Sequence, residues 1–243
     1  MNRPSENLPA ILIVRPPSQA SADVAKFEAQ GWRAVPFSPM QIEPDHKALQ
    51  QLNRRFHNAD AVFWVSPSAV ETAAPHIDFS DGLPIQITVG QGSRKALAKF
   101  YPHNIICPEE GNDSEAVLAL PVWNTLKPGA EILIVRGHGG RDFLRNALIQ
   151  RGFQVKLAEI YFRRPCPPDW SVWETVEPQA AYITSAEMVD LLFRQVPDRF
   201  AQPLRTLLYF THHPRIAEAL RKAGARRIRM IGRTDECVTR SDE

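Results

Sequence analysis

Three cysteines are all that the 243 residues contain, and Cys107, Cys166 and Cys237 show no paired ligand spacing. That argues against a disulfide framework and against a thiolate metal site, and it fits a reducing compartment. An excess of one charge is lacking too. The formal net charge is +2, which argues against a general nucleic-acid binder. No apolar stretch approaches the ~20 residues needed to span a membrane. The first such run, 11–14, ends at Arg15 and is too short for a signal peptide. A soluble, cytoplasmic monomer is expected, with no nucleic-acid or membrane partner. Nucleotide signatures are missing as well. The chain has no Gly-Lys dipeptide for a Walker loop, and the third glycine of a dinucleotide fingerprint counted from Gly137 is Asp142.

Proline, by contrast, is abundant at 21 residues, and two patches of it punctuate the chain at 38–44 and 164–168. Around them one unit recurs: a short apolar run, a polar turn, then apolar residues at helical spacing. Its fullest copy is 131–164, where the β-branched run 132–135 reads as a strand buried on both faces. Arg136-Gly137-His138-Gly139-Gly140 breaks that run. Phe143, Leu144, Ala147 and Leu148 then mark a helix that stops at Gly152, and 154–162 is extended. Further strands are expected at 61–65, 85–89 and 104–107 between the patches. Outside them strands are expected at 10–14, 32–37, 180–183, 207–210 and 228–231, with helices over 18–30, 187–194 and 215–222. Alternation of this kind predicts open parallel sheets with helices on both faces. The expected architecture is two flavodoxin-like α/β domains joined by two extended linkers, with a ligand cleft between them. One domain takes 1–38 plus 165–243, the inserted one 45–160, and the linkers are about 39–44 and 161–168.

In such sheets ligands bind beyond the carboxyl ends of the strands. The turns at those ends carry Arg15; Ser66 and Ser68; Gly90 and Ser93; Arg136, Gly137, Gly140 and Arg141; Thr184 and Ser185; and His213. Each hydroxyl could simply cap its own helix, and each glycine could simply reverse the chain. Taken together they suggest a ligand with several carboxylates or phosphates, held by helix N-termini and arginines. His212-His213 suits a loop role or a carboxylate contact better than a metal, since adjacent side chains seldom converge on one ion. Arg163-Arg164 and the basic cluster at 226–229 read as solvated faces.

These residues resemble the uroporphyrinogen-III synthase family over nearly the whole chain. The resemblance rests on L-I-V-R-P at 12–16, V-S-P-S-A-V at 65–70, V-G-Q-G-S-R-K-A-L at 89–97 and I-L-I-V-R-G-x-G-G-R-x-x-L at 132–144. R-G-F-Q-V at 151–155, I-Y-F-R-R-P at 160–165, Y-I-T-S-A-E-M-V at 182–189 and H-P-R-I-A-E-A at 213–219 complete it. The resemblance implies cyclisation of hydroxymethylbilane, a linear tetrapyrrole with eight carboxylates, to uroporphyrinogen III in heme biosynthesis. The terminal pyrrole is inverted and water is lost, with no metal or organic cofactor. It implies Tyr161 as the acid; the same tyrosine could instead be linker packing. The chain departs from the family at Ser68, where asparagine is common, and it ends at Asp242-Glu243 with little room for a closing helix. The other reading left open is a non-catalytic two-domain binder or regulator for an anionic small molecule.

Overall fold

The computed structural model describes residues 8–232, apart from Asp81 and Asn112. Cys237 and the chain end at Asp242-Glu243 lie outside the described residues, as do the first seven positions. The chain divides into two compact units, residues 1–41 with 164–243 and residues 42–163. In chain order the described strands are β1 (Ala10–Val14), β2 (Arg33–Pro36), β3 (Met40–Pro44), β4 (Ala61–Trp64), β5 (Ile85–Thr88) and β6 (Ile105–Ile106). They continue with β7 (Glu131–Gly137), β8 (Gln154–Pro165), β9 (Ala180–Ile183), β10 (Leu208–Thr211) and β11 (Arg227–Met230).

The first unit holds a parallel sheet in the order β11-β10-β9-β1-β2. Ile11, Leu12, Ile13 and Val14 of β1 are all fully buried. Leu12 and Val14 join one core and Ile11 and Ile13 the other. A central strand covered on both faces is therefore continuously apolar rather than alternating. Each such side chain contributes about 1.5–3 kcal/mol relative to exposure. The order reverses direction between β1 and β9, and that is the sheet's switch point.

The second unit has the order β3-β8-β7-β4-β5-β6. From β8 to β6 the neighbours are parallel, and the switch point falls between β4 and β7. Val62 and Trp64 enter one core, Ala61 and Phe63 the other. The two units thus share a layer plan but differ in strand order.

The segments expected as linkers are strands. β3 occupies 40–44, and β8 runs through to Pro165. The Asp45 N–H donates to the Ile160 carbonyl at 2.9 Å and the Cys166 N–H to the Pro39 carbonyl at 3.0 Å. The two segments therefore run in opposite directions. Proline is tolerated here because β3 is an edge strand, where a missing N–H need not break a ladder. Met40 is buried in the core of the first unit, while Ile42 packs on that of the second.

Helices at His46–Gln50, Leu52–His57, Ser171–Val176 and Asp198–Thr206 go beyond the expected ones. The last contains Pro203 and so forgoes one backbone bond. It buries Phe200 and Leu204 one turn apart, and Phe200 stacks on Trp170 with centroids 5.5 Å apart.

Candidate active site

In the second unit the turns after β4, β5 and β7 and the end of β8 lie at the carboxyl edge of the sheet. Ser66 ends the stretch after β4, and its Oγ accepts from the Ala69 N–H at 3.1 Å, capping the helix Pro67–Ala73. The same oxygen lies 3.4 Å from the Tyr161 hydroxyl. Ser68 is buried in the first turn of that helix. Gly90 opens the helix Gln91–Leu97, and Ser93 within it is buried with its Oγ unpaired by protein.

Tyr161 is 1 % exposed and belongs to the hydrophobic core, not to a loop. A register shift in the β7–β8 ladder puts it there. Arg136 pairs with Glu159 and Gly137 with Tyr161, leaving Ile160 as an extra residue on β8. Bulges of this kind re-aim a side chain. The phenol ring then fills the space beside Gly137, where a Cβ would come within 2.4 Å of Cε2. Only glycine leaves that space.

Arg136 is buried and fully engaged. Nε and Nη2 donate to Glu159 Oε1 at 3.2 and 3.0 Å, and Nη1 donates to Asp142 Oδ1 and the Arg141 carbonyl at 3.0 and 3.1 Å. Gly140 packs on its side chain, with 3.2 Å from a built Cβ to Cδ. Gly139 takes the left-handed φ of 71° that lets the turn close. His138 adds a second network. Its Nε2 is 3.0 Å from Asp45 Oδ2, its Nδ1 is 3.8 Å from Glu159 Oε2, and its ring stacks on Phe162 at 4.0 Å. The Asp45 carboxyl is held below the usual range first by the Ala48 N–H and then by His138. Three carboxylates (Asp45, Asp142, Glu159) thus surround a turn expected to receive anions. Arg141 is exposed there and remains the guanidinium nearest to the expected role.

In the first unit Arg15 follows β1. Its Nη1 donates to Asp23 Oδ2 and its Nη2 to Gln19 Oε1, both at 2.5 Å, while Nε is buried without a partner. Asp23 is itself buried and also meets Lys26 at 3.2 Å. Thr184 and Ser185 follow β9, the strand beside β1, and both are half-buried. Ser185 occupies the N-cap of the helix Ala186–Arg194, yet its hydroxyl makes no capping bond. His213 does cap its helix, Pro214–Lys222, with Nδ1 accepting from the Arg215 N–H at 3.1 Å. Thr211, at the end of β10, is buried with Oγ1 unpaired.

The expected residues therefore fall into two groups, each flanking the switch point of its own sheet. Ser66 and Gly137 each approach the Tyr161 side chain, and Arg136 packs against Gly140. His138, Asp45 and Glu159 were not expected. The histidine was visible inside the glycine turn, but its carboxylates lie far away in sequence and only strand pairing brings them together. Among the described residues no group of three or more His, Cys, Asp or Glu is placed to hold a metal ion. No helix among them is long and apolar enough to cross a membrane.

The model of the HEM4 family, described as uroporphyrinogen-III synthase HemD, matches residues 21–233. The chain is similar to the uroporphyrinogen-III synthase of Escherichia coli K12, with 26% identity over 79% of this chain and 82% of the relative. It is also similar to that of Salmonella typhimurium LT2, with 28% identity over 93% and 96%. Its fold is shared with the crystal structure of uroporphyrinogen-III synthetase from Helicobacter pylori 26695. The TM-score there is 0.59 at 13% identity, covering 91% of this chain and 92% of that one.

Proposed function

This chain belongs to the uroporphyrinogen-III synthase family, and from that premise we propose that it is a cyclising hydro-lyase acting on hydroxymethylbilane. The terminal hydroxyl leaves as water, and the far pyrrole attacks through its substituted carbon to give a spiro intermediate. Re-closure yields uroporphyrinogen III with that pyrrole inverted. The substrate also closes unaided to the uninverted isomer, so the protein's task is mainly to impose one reactive geometry. We place the protein in the cytoplasm as a monomer, with no nucleic-acid or membrane partner.

The observation that carries the reading is the hydroxyl pair at the second switch point. Tyr161 and Ser66 stand 3.4 Å apart, and Ser66 is the half-buried member. A phenol O–H is a hydrogen-bond donor; through Ser66 it supplies a hydrogen bond, and at the limit a proton, to the departing hydroxyl. Arg15, Ser68, Gly90, Ser93, Gly137, Gly140, Arg141, Thr184, Ser185 and His213 belong to the turns that receive substrate carboxylates, assisted by helix N-termini. Arg15 and Arg136 serve their turns indirectly, because the guanidinium of the first already answers Asp23 and Gln19 and that of the second Glu159 and Asp142.

The burial of Tyr161 favours a second reading, a non-catalytic binder of an anionic tetrapyrrole. Incubation with hydroxymethylbilane, oxidation, and chromatographic separation of the uroporphyrin isomers decides between them. The enzyme yields predominantly the inverted isomer. A product mixture identical to that formed without protein leaves only the binder.

A further inference from the structure

Three consecutive residues of β8, Ile160, Tyr161 and Phe162, are gripped from both sides. From the β7 side the His138 N–H donates to the Tyr161 carbonyl at 2.9 Å, and the His138 ring stacks on Phe162 at 4.0 Å and 6°. From the β3 side the Asp45 N–H donates to the Ile160 carbonyl at 2.9 Å. The two gripping residues are joined by the 3.0 Å contact between His138 Nε2 and Asp45 Oδ2. A bulge ordinarily loosens a ladder, because its extra residue lacks a cross-strand partner. Here the extra residue is Ile160, and Asp45 supplies that partner.

We propose that Asp45 and His138 act as one positioning unit for Tyr161, fixing the bulge that aims its phenol at Ser66. Neither residue hydrogen-bonds to the phenol oxygen or to Ser66. The effect of the unit travels through the backbone on either side of Tyr161. Glu159 stands 3.8 Å from the second ring nitrogen and is itself held by Arg136. This proposal rests on the catalytic reading of Tyr161 for its kinetic consequence, but not for its structural one.

The test uses the full-length protein. His138→Phe keeps a flat ring for stacking on Phe162 and removes the contact with Asp45. With hydroxymethylbilane, kcat for the inverted isomer should fall about tenfold, in keeping with the cost of small misplacements of a reacting group, while KM moves little. Tyr161→Phe combined with His138→Phe should be no slower than Tyr161→Phe alone, since a positioning residue has nothing left to position. Asp45→Asn, which can still bond the ring and cap its helix, should retain more activity than Asp45→Leu. Effects of the two substitutions that multiply would overturn the proposal. A second readout is independent of activity: 19F NMR of protein carrying fluorotyrosine, with the Tyr161 resonance assigned by its loss in Tyr161→Phe. The resonance should move in His138→Phe and move less in Asp45→Asn. An unmoved resonance overturns the positioning role even if the enzyme is active. A moved resonance in a protein making only the uninverted isomer upholds it and sinks the catalytic reading alone. Should His138→Phe fail to fold, His138→Gln is measured in the same two ways.

Discussion

His212 is exposed, yet desolvation by the surrounding protein lowers its pKa below the ordinary 6.5, and Arg15 and then His213 push it the same way, while Asp23 opposes them. Its folded-state pKa is therefore below its unfolded one, so between those values the unfolded chain binds more protons. Stability from this group rises with pH through that window and is lost as pH falls below about 6.5. Water around the ring keeps the effect small. NMR titration of the ring should give a midpoint under 6.5. Arg15→Gln should raise it, because a repelling cation goes and Asp23 loses its guanidinium partner. A midpoint unmoved by Arg15→Gln would mean that Arg15 does not act on this ring. Gly137 offers a second residue-level test. An alanine methyl there meets a buried aromatic ring, not a flexible chain end. Gly137→Ala should cost about 1–3 kcal/mol in urea unfolding, the usual range for overpacking. An unchanged midpoint would show that β8 shifts freely. Gly137 was legible in the sequence as a turn glycine. That its partner is a tyrosine far along the chain was not, because no local pattern encodes a bulge register.

At the scale of elements, what is legible is what has a local cause. Strand-to-helix turns carry hydroxyls, glycines and prolines for reasons internal to a few residues. Ser66, Ser185 and His213 could therefore be placed at N-termini from sequence alone. Their duties separate only in three dimensions: Ser66 and His213 cap their helices, and Ser185 does not. Arg136 shows the same limit. An arginine beside a glycine turn reads as an anion receptor, but Glu159 on the next strand and Asp142 at the following helix already occupy it. The proline-rich segments were legible as extended and not as paired; for β3 the reason is that an edge strand needs only alternate backbone groups and tolerates proline. Asp198–Thr206 escaped notice for a related reason. Its internal proline argues against a helix locally, whereas burial of Phe200 and Leu204 decides in favour of one.

At the scale of the whole molecule the alternation of strands and helices made the α/β class legible. The strand order was not, because parallel strands joined by helices can be laid down in several orders with the same sequence pattern. The inserted stretch has its own complete core: one cluster around Trp64, Phe56 and Tyr161, another around Phe63, Trp123 and Leu148. Among the described residues, both clusters that cover the faces of its sheet are built from this stretch alone. We propose that it is an independently folding domain. Expressed alone, residues 42–163 should give mixed helix and strand by circular dichroism and one cooperative urea transition, as a single domain of this size does. The truncation removes Met40 from β3, but that side chain is buried in the other unit's core. The ladder from Ile42 and the Asp45 bond to Ile160 remain. A modest loss at this edge should leave the transition sigmoidal. A fragment that melts without cooperativity, while the full chain unfolds sharply, would mean that 42–163 draws its stability from the rest of the protein and is not a domain in the energetic sense.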